Sequence, residues 1–395
     1  MIRIIAGLLA VFLSFSASSI SAQSRTLLNQ LPIEQCKLMG KNVIGNTVRY
    51  EDSGLTEDWS QFVRPLGKVR VLMIAQDFPD VRAKSKFSKM KTFATSLESE
   101  FARLSNGRAD FDITVRNGWL TMQNSAKHYM TVGWWEKIDD ALELVDPEFD
   151  FRDFDMFIIK TDEKNTVVDV AGALPIWSSY KPDGLSVTRG VYLGSDFWTQ
   201  DGGGVAIGVH EIGHLLGLPD LYPFNENGTR PVGLFDLMGS SGKGMLLRLM
   251  GWHDWKLGWL VDSEVKCLDP AKAQIIKVPS NSTKTSPFIF PISKTKAYVV
   301  ENWKPYANKR AANWVAYTID SSMHVWSSAG IEDIGKYSPI QVLTPDGVKR
   351  SKDWGARNPE LALRLGQSLT TEIGVFKFIK SGKDLTMRFV PKPKK

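Results

Sequence analysis

Residues 202–220 read GGGVAIGVHEIGHLLGLPD, and the rest of the chain is best understood from this stretch. Three glycines lead into an apolar run from about Val205 to Leu216, long enough for a helix, with His210 and His214 four residues apart inside it. Helical positions i and i+4 share a face, so the two imidazoles can offer nitrogen to a single ion. Glu211 lies beside them, placed to reach water at that ion without ligating it. Gly217 permits the left-handed backbone with which helices commonly end. The turn it opens can bring Asp220 back to the same point. Three protein ligands and one open position describe a catalytic zinc site, whereas a structural site closes with a fourth ligand. With 5 His and 16 Glu in 395 residues, His-Glu-x-x-His is expected by chance only about 0.003 times.

Upstream of this helix, Lys68–Ala75 is a mostly apolar run suited to a buried strand and closed by a turn at Asp77–Asp80. Residues 86–105 space Phe87, Met90, Phe93, Leu97, Phe101 and Leu104 by three and four, which gives one apolar helical face ended by Asn106-Gly107. Phe111–Met122 alternates as a strand, Val132–Val145 suits a second helix, and Asp155–Ile159 and Leu185–Leu193 suit further strands. Interleaved strands and helices predict an α/β (α+β) domain over residues 62–262, with a twisted mixed sheet and an active-site helix. After Leu260 the texture changes. Short β-leaning runs such as Ala297–Val300, Trp314–Ile319 and Val375–Ile379 predict a smaller β-rich domain over 263–395. Residues 23–61 are polar and irregular, a lead-in or short pro-segment.

Residues 1–22 have the parts of a secretory signal: Arg3, the apolar Ile4–Phe15, and small residues from Ser16 to a cleavage site after Ala22. The apolar stretch is too short to span hydrocarbon, and no later one is longer, so the expected mature chain is extracytoplasmic, secreted or periplasmic, without stable membrane insertion. In an oxidising compartment Cys36 and Cys267 have one possible intramolecular pairing. Two other readings stand beside it: Cys36 as a removable thiolate on an active-site metal, and two free buried thiols.

Composition excludes some classes. At 43% hydrophobic and 23% charged the chain is globular and not disordered. The net charge of +6 is dispersed, and no Lys/Arg run is interleaved with aromatics as a nucleic-acid groove requires.

Beyond the helix, the turn-rich Gly233–Ser241 carries Met238, which can put a soft apolar side chain beneath the ligands. Together these residues resemble the metzincin group of zinc peptidases, specifically the immune inhibitor A-like secreted metallopeptidases. The similarity covers about residues 69–260, through VLMIAQDFPD at 71–80, FARLSNG at 101–107, LLGLPDLY at 215–222, FDLMG at 235–239 and GWHDWKLGWL at 251–260; Tyr298–Asn302 weakly extends it. The resemblance implies His210, His214 and Asp220 as zinc ligands, Glu211 as general base and acid, and Met238 as the Met-turn. It also implies calcium, for which no ligand is nominated, since no Asp-x-Asp-x-Asp-Gly loop is present. Three departures stand out. Asp220 occupies the place of the third His of most metzincins. Ser240 stands where some carry an oxyanion-assisting Tyr, with Tyr222 as the substitute. The long pro-region of the resembled family is missing.

The expected activity is hydrolysis of protein or peptide substrates, with Glu211 taking a proton from zinc-activated water and delivering it to the leaving amine. Leu185–Leu193 is the expected edge strand for an extended substrate. Trp177, Tyr192, Phe197 and Trp198 are candidates for lining the cleft, and His128 and His253 for assisting at the site. Two rival readings remain. In one, an exported protein binds glycan or cell wall through Trp303, Tyr306, Trp314, Trp326 and Trp354, with a vestigial zinc site. In the other, a zinc amidase or deacetylase applies the same chemistry to a non-peptide amide.

Overall fold

The computed structural model describes residues 28–40, 53–60, 62–132, 134–162, 171–174, 180–186, 189–194, 203–222, 230–239, 248–280, 282, 284–303, 313–323, 338–351 and 358–393. The apolar run near residue 70 becomes β1 (Gly67–Asp77). Val71, Met73 and Ala75 pack into one core cluster and Leu72 and Ile74 into another. A strand buried on both faces belongs in the middle of a sheet covered on both sides. The first face meets α1 (Ser88–Leu104), which buries Met90, Phe93, Ala94, Leu97, Phe101 and Leu104.

The stretch 111–122 is two strands, not one. β2 (Ala109–Val115) and β3 (Leu120–Thr121) both run parallel to β1. Gly118, at φ +81°, turns the chain between them, where the apolar positions shift from odd residues (111, 113, 115) to even ones (120, 122). The helix expected at 132–145 is α3 (Trp134–Val145), and a short helix the sequence reading did not include, α2 (Ala126–Thr131), capped by the Ser125 side chain, precedes it. They cover the second face of β1. β4 (Met156–Thr161), β5 (Ala171–Leu174) and β6 (Gly190–Leu193) complete a mixed sheet of order β2-β1-β4-β6-β5, with β5 antiparallel and the rest parallel. The strand expected at 185–193 is therefore shorter and interior. Among the described residues β5 and β2 are the outer strands of that order, β5 on the β6 side. Among the described residues two more α-helices follow, α4 (Gly203–Leu215) and α5 (Gly251–Lys256).

The remaining strands of the described residues form two further sheets. One sheet has the order β12-β11-β10-β9-β7, from β7 (Lys266–Cys267), β9 (Phe288–Pro291), β10 (Lys296–Trp303), β11 (Asn313–Asp320) and β12 (Ile340–Val342). The other has the order β13-β14-β15-β8, from β8 (Gln274–Pro279), β13 (Ser368–Thr370), β14 (Gly374–Lys380) and β15 (Asp384–Pro391). Alternation along β10 and β11 divides their side chains between two cores. Tyr298, Val300, Trp314 and Ala316 pack with Phe376, Met387 and Phe389 of the second β sheet. Val299, Val315 and Tyr317 pack in the same cluster as Met250, Trp252 and the core of the first sheet. Apolar packing therefore continues across residue 262. The architecture is α+β, with several sheets.

The lead-in is built into this junction. Leu31 N donates to Cys267 O at 2.9 Å, Gln30 bridges Leu268, and Cys36 is disulfide-bonded to Cys267. That bond removes both alternatives for the cysteines, the metal-blocking thiolate and the free thiols.

Two predictions follow from the junction. Cross-linking residues 231 apart restricts the unfolded chain, so Cys36→Ser/Cys267→Ser should cost about 2–5 kcal/mol in reversible urea unfolding; an unshifted midpoint contradicts this. Glu301 on β10 is buried, and burial raises its carboxyl from 4.5 to about 7 despite bonds from Gly251 N and the Tyr317 hydroxyl. A raised carboxyl stabilises the fold below its unfolded value and loses that contribution as pH rises through its folded value. Relative to Glu301→Gln, the wild type should lose up to ~3 kcal/mol as pH rises from about 4.5 to above 7, read from paired urea midpoints.

Candidate metal centre

α4 lies across α1 and β6, where Gly208 allows close approach: a Cβ there would sit 3.0 Å from Leu97 Cδ2 and 3.7 Å from Leu193 Cδ1. The helix ends in a glycine-based turn. Gly217, at φ +89°, donates to His214 O at 2.9 Å, and Leu218 N donates to Gly213 O at 3.0 Å. These two bonds form the Schellman pattern, which satisfies the last carbonyls and reverses the chain. Val63 N donates to the Leu215 carbonyl at 2.8 Å, and the Phe62 ring packs where a side chain at residue 217 would go.

The reversal delivers Asp220 to the two imidazoles. Its Oδ1 lies 3.0 Å from His210 Nε2 and 3.3 Å from His214 Nε2. All three side chains are buried, and their ligand atoms lie within 4.8 Å of one another. The opposite nitrogens are anchored to groups that only accept: His210 Nδ1 donates to Leu237 O at 3.1 Å and His214 Nδ1 to Leu218 O at 2.7 Å. A proton fixed on Nδ1 leaves the Nε2 lone pair for a ligand. The donor set of two such nitrogens and one carboxylate oxygen suits a zinc-type ion with a position left open. Glu211, half-buried, adjoins His210 on α4.

Electrostatics favour a cation at this point. Burial raises the Asp220 carboxyl, but the charge of His214 and bonds from both histidines outweigh it and hold the group well below the usual range. Burial also opposes a charged His210, yet Asp220 pushes it up to about 9. Without an ion the carboxylate keeps a proton close to the site, one that a bound divalent cation would have to displace. The Tyr222 ring centroid is 5.9 Å from that of His210, and burial, then the charges of Asp220 and Glu211, raise its hydroxyl so that it stays neutral.

The turn at 236–239 closes the site from below. Met238 is buried, and its Sδ would be 3.0 Å from a Cβ at Gly213, so the glycine between the two ligands lets the thioether in. Met238 O accepts from Leu221 N at 2.8 Å, next to Asp220. Sequence reasoning missed Asp236, whose carboxylate anchors this turn and whose signal is only its place two residues before Met238. His253 does not face the ligands; it is buried against Asp236 at 2.9 Å. His128 pairs with Glu136 on the surface of α2 and α3. Tyr192 belongs to the core, bonded by Gln76 and covered by Lys137 Nζ at 3.8 Å. Trp303 and Trp314 are also buried and offer no face to a glycan. Trp177, Phe197, Trp198, Ser240, Tyr306, Trp326 and Trp354 lie outside the described residues. Among the described residues no other group of three such ligands converges.

No family model matches the chain, and no curated protein matches it.

An ion that binds the folded chain alone stabilises it. Zinc at a hundred times its dissociation constant should add about 2.7 kcal/mol, visible as a raised melting temperature. Asp220→Ala should abolish the rise. A wild-type melting temperature unmoved by zinc contradicts the site.

Proposed function

We propose that the chain is a secreted, metzincin-like zinc endopeptidase of the immune inhibitor A type. The observation that carries this reading is the convergence of His210 Nε2, His214 Nε2 and Asp220 Oδ1, with a carboxylate that is not a ligand, Glu211, next to them on α4. Bound there, zinc supplies Lewis acidity toward a carbonyl oxygen and toward water. Glu211 accepts the proton that water gives up as it attacks and passes it to the departing amine, a role typically worth 10²–10⁴-fold in rate. His210 and His214, locked through Nδ1, do not have to reorient.

Substrate binding belongs to a different strand from the one the sequence points to. Among the described residues β5 is the antiparallel outer strand, and it packs alongside α4. A peptide laid on it in extended form is held by backbone bonds with little sequence preference, which favours an endopeptidase over an enzyme for small amides. Of the five aromatics named for the glycan-binding reading, Trp303 and Trp314 are core residues, and Tyr306, Trp326 and Trp354 lie outside the described residues. Export rests on the signal in residues 1–22, which lie outside the described residues. No helix among the described residues is long and apolar enough to cross a membrane.

The test compares wild type with Glu211→Gln on casein. The variant should retain one zinc per chain by metal analysis and lose about 10²–10⁴-fold in cleavage. Chelator should abolish wild-type activity. Cleavage by the variant at the wild-type rate refutes the role of Glu211; polysaccharide retention without casein cleavage selects the binding protein instead.

A further inference from the structure

The turn that carries Met238 is held by a buried carboxylate–imidazole hydrogen bond that the proposed hydrolysis does not use. Asp236 and His253 both have fully buried side chains. Asp236 Oδ1 accepts from Met238 N at 2.8 Å, and Oδ2 accepts from Met250 N at 2.8 Å and His253 Nδ1 at 2.9 Å. His253 Nε2 is buried with no partner among the described residues. Burying a carboxylate and an imidazole is costly, and placing an apolar pair there is often easier. What they hold is therefore informative.

The surroundings of all three candidate ligands are reached from this one turn. Leu237 O takes the Nδ1 proton of His210, Met238 Sδ fills the space at Gly213 between His210 and His214, and Met238 O takes Leu221 N beside Asp220. The other end of the anchor leads into the β-rich half. His253 sits on α5, whose first residue, Gly251, donates to Glu301 Oε2 of β10 at 2.9 Å. Trp303 of the same strand packs on Phe235 at 4.9 Å between ring centroids.

We propose that Asp236, held by His253, is a positioning residue for the metal centre, and that through α5 and β10 the β-rich half serves as its abutment. The inference rests on the metal-binding reading of His210, His214 and Asp220. The carboxylate fixes the turn, and the turn fixes the direction of the His210 lone pair and the return of Asp220. Supporting groups of this kind commonly change metal affinity by 10–100-fold when removed.

The test uses the full chain and two probes, Co²⁺ absorption and Zn²⁺ affinity by chelator competition, with circular dichroism of the ion-free proteins. Asp236→Asn and His253→Phe should stay folded, bind zinc about 10–100-fold more weakly and alter the cobalt spectrum. His253→Gln keeps an N–H for Asp236 and should recover most of that loss. Folded Asp236→Asn and His253→Phe with wild-type affinity overturn the inference. So does equal loss in His253→Phe and His253→Gln, which marks packing alone. If Asp236→Asn does not fold, the two His253 variants decide. A wild-type chain that takes up neither cobalt nor zinc overturns the metal reading itself, and this inference with it; wild-type uptake with unaffected variants overturns the inference alone.

Discussion

Everything at the centre depends on keeping two imidazoles and a carboxylate together away from water. Such a set is unstable unless each ring has one nitrogen satisfied and the remaining three atoms share a cation or a proton. The carbonyls of Leu237 and Leu218 satisfy the rings. Both carbonyls belong to segments that follow α4, so the loops after the helix matter as much as the helix itself. The glycine turn at 217 supplies one carbonyl, and the turn at 236–239 the other.

This explains which parts of the site could be read from the residues. His210 and His214 obey helical periodicity, and Gly217 announces the reversal that returns Asp220, so local rules reach all three. No local rule reaches Asp236 and His253, which are 17 residues apart and meet only after α5 is seated. Met238 is legible as a soft side chain following the helix, but its fit depends on the missing Cβ of Gly213.

The fold was legible to a similar depth. The both-face burial of β1 and the single face of α1 follow from apolar spacing alone. Strand ends follow less directly: the apolar positions of 111–122 shift from odd to even residues across Asn117-Gly118, and reading the whole stretch as one alternating strand passes over that turn. Sheet order also stayed hidden. Whether residues 190–193 lie at an edge or inside is set by where 171–174 pairs, a contact that periodicity does not encode. The junction was illegible for a related reason: the two faces of β10 and β11 look equally apolar, and only the assembled chain shows that they serve different cores.

The Cys36–Cys267 bond has a topological meaning apart from any strength it lends. It closes a covalent ring that contains the first sheet, α1 to α5 and all three candidate ligands, and leaves β8 to β15 outside. A ring of that extent cannot close until synthesis has passed residue 267. Its oxidation therefore marks the moment at which the whole ligand-bearing half has emerged and its two ends have found each other, a chemical record of completeness written near the start of the chain.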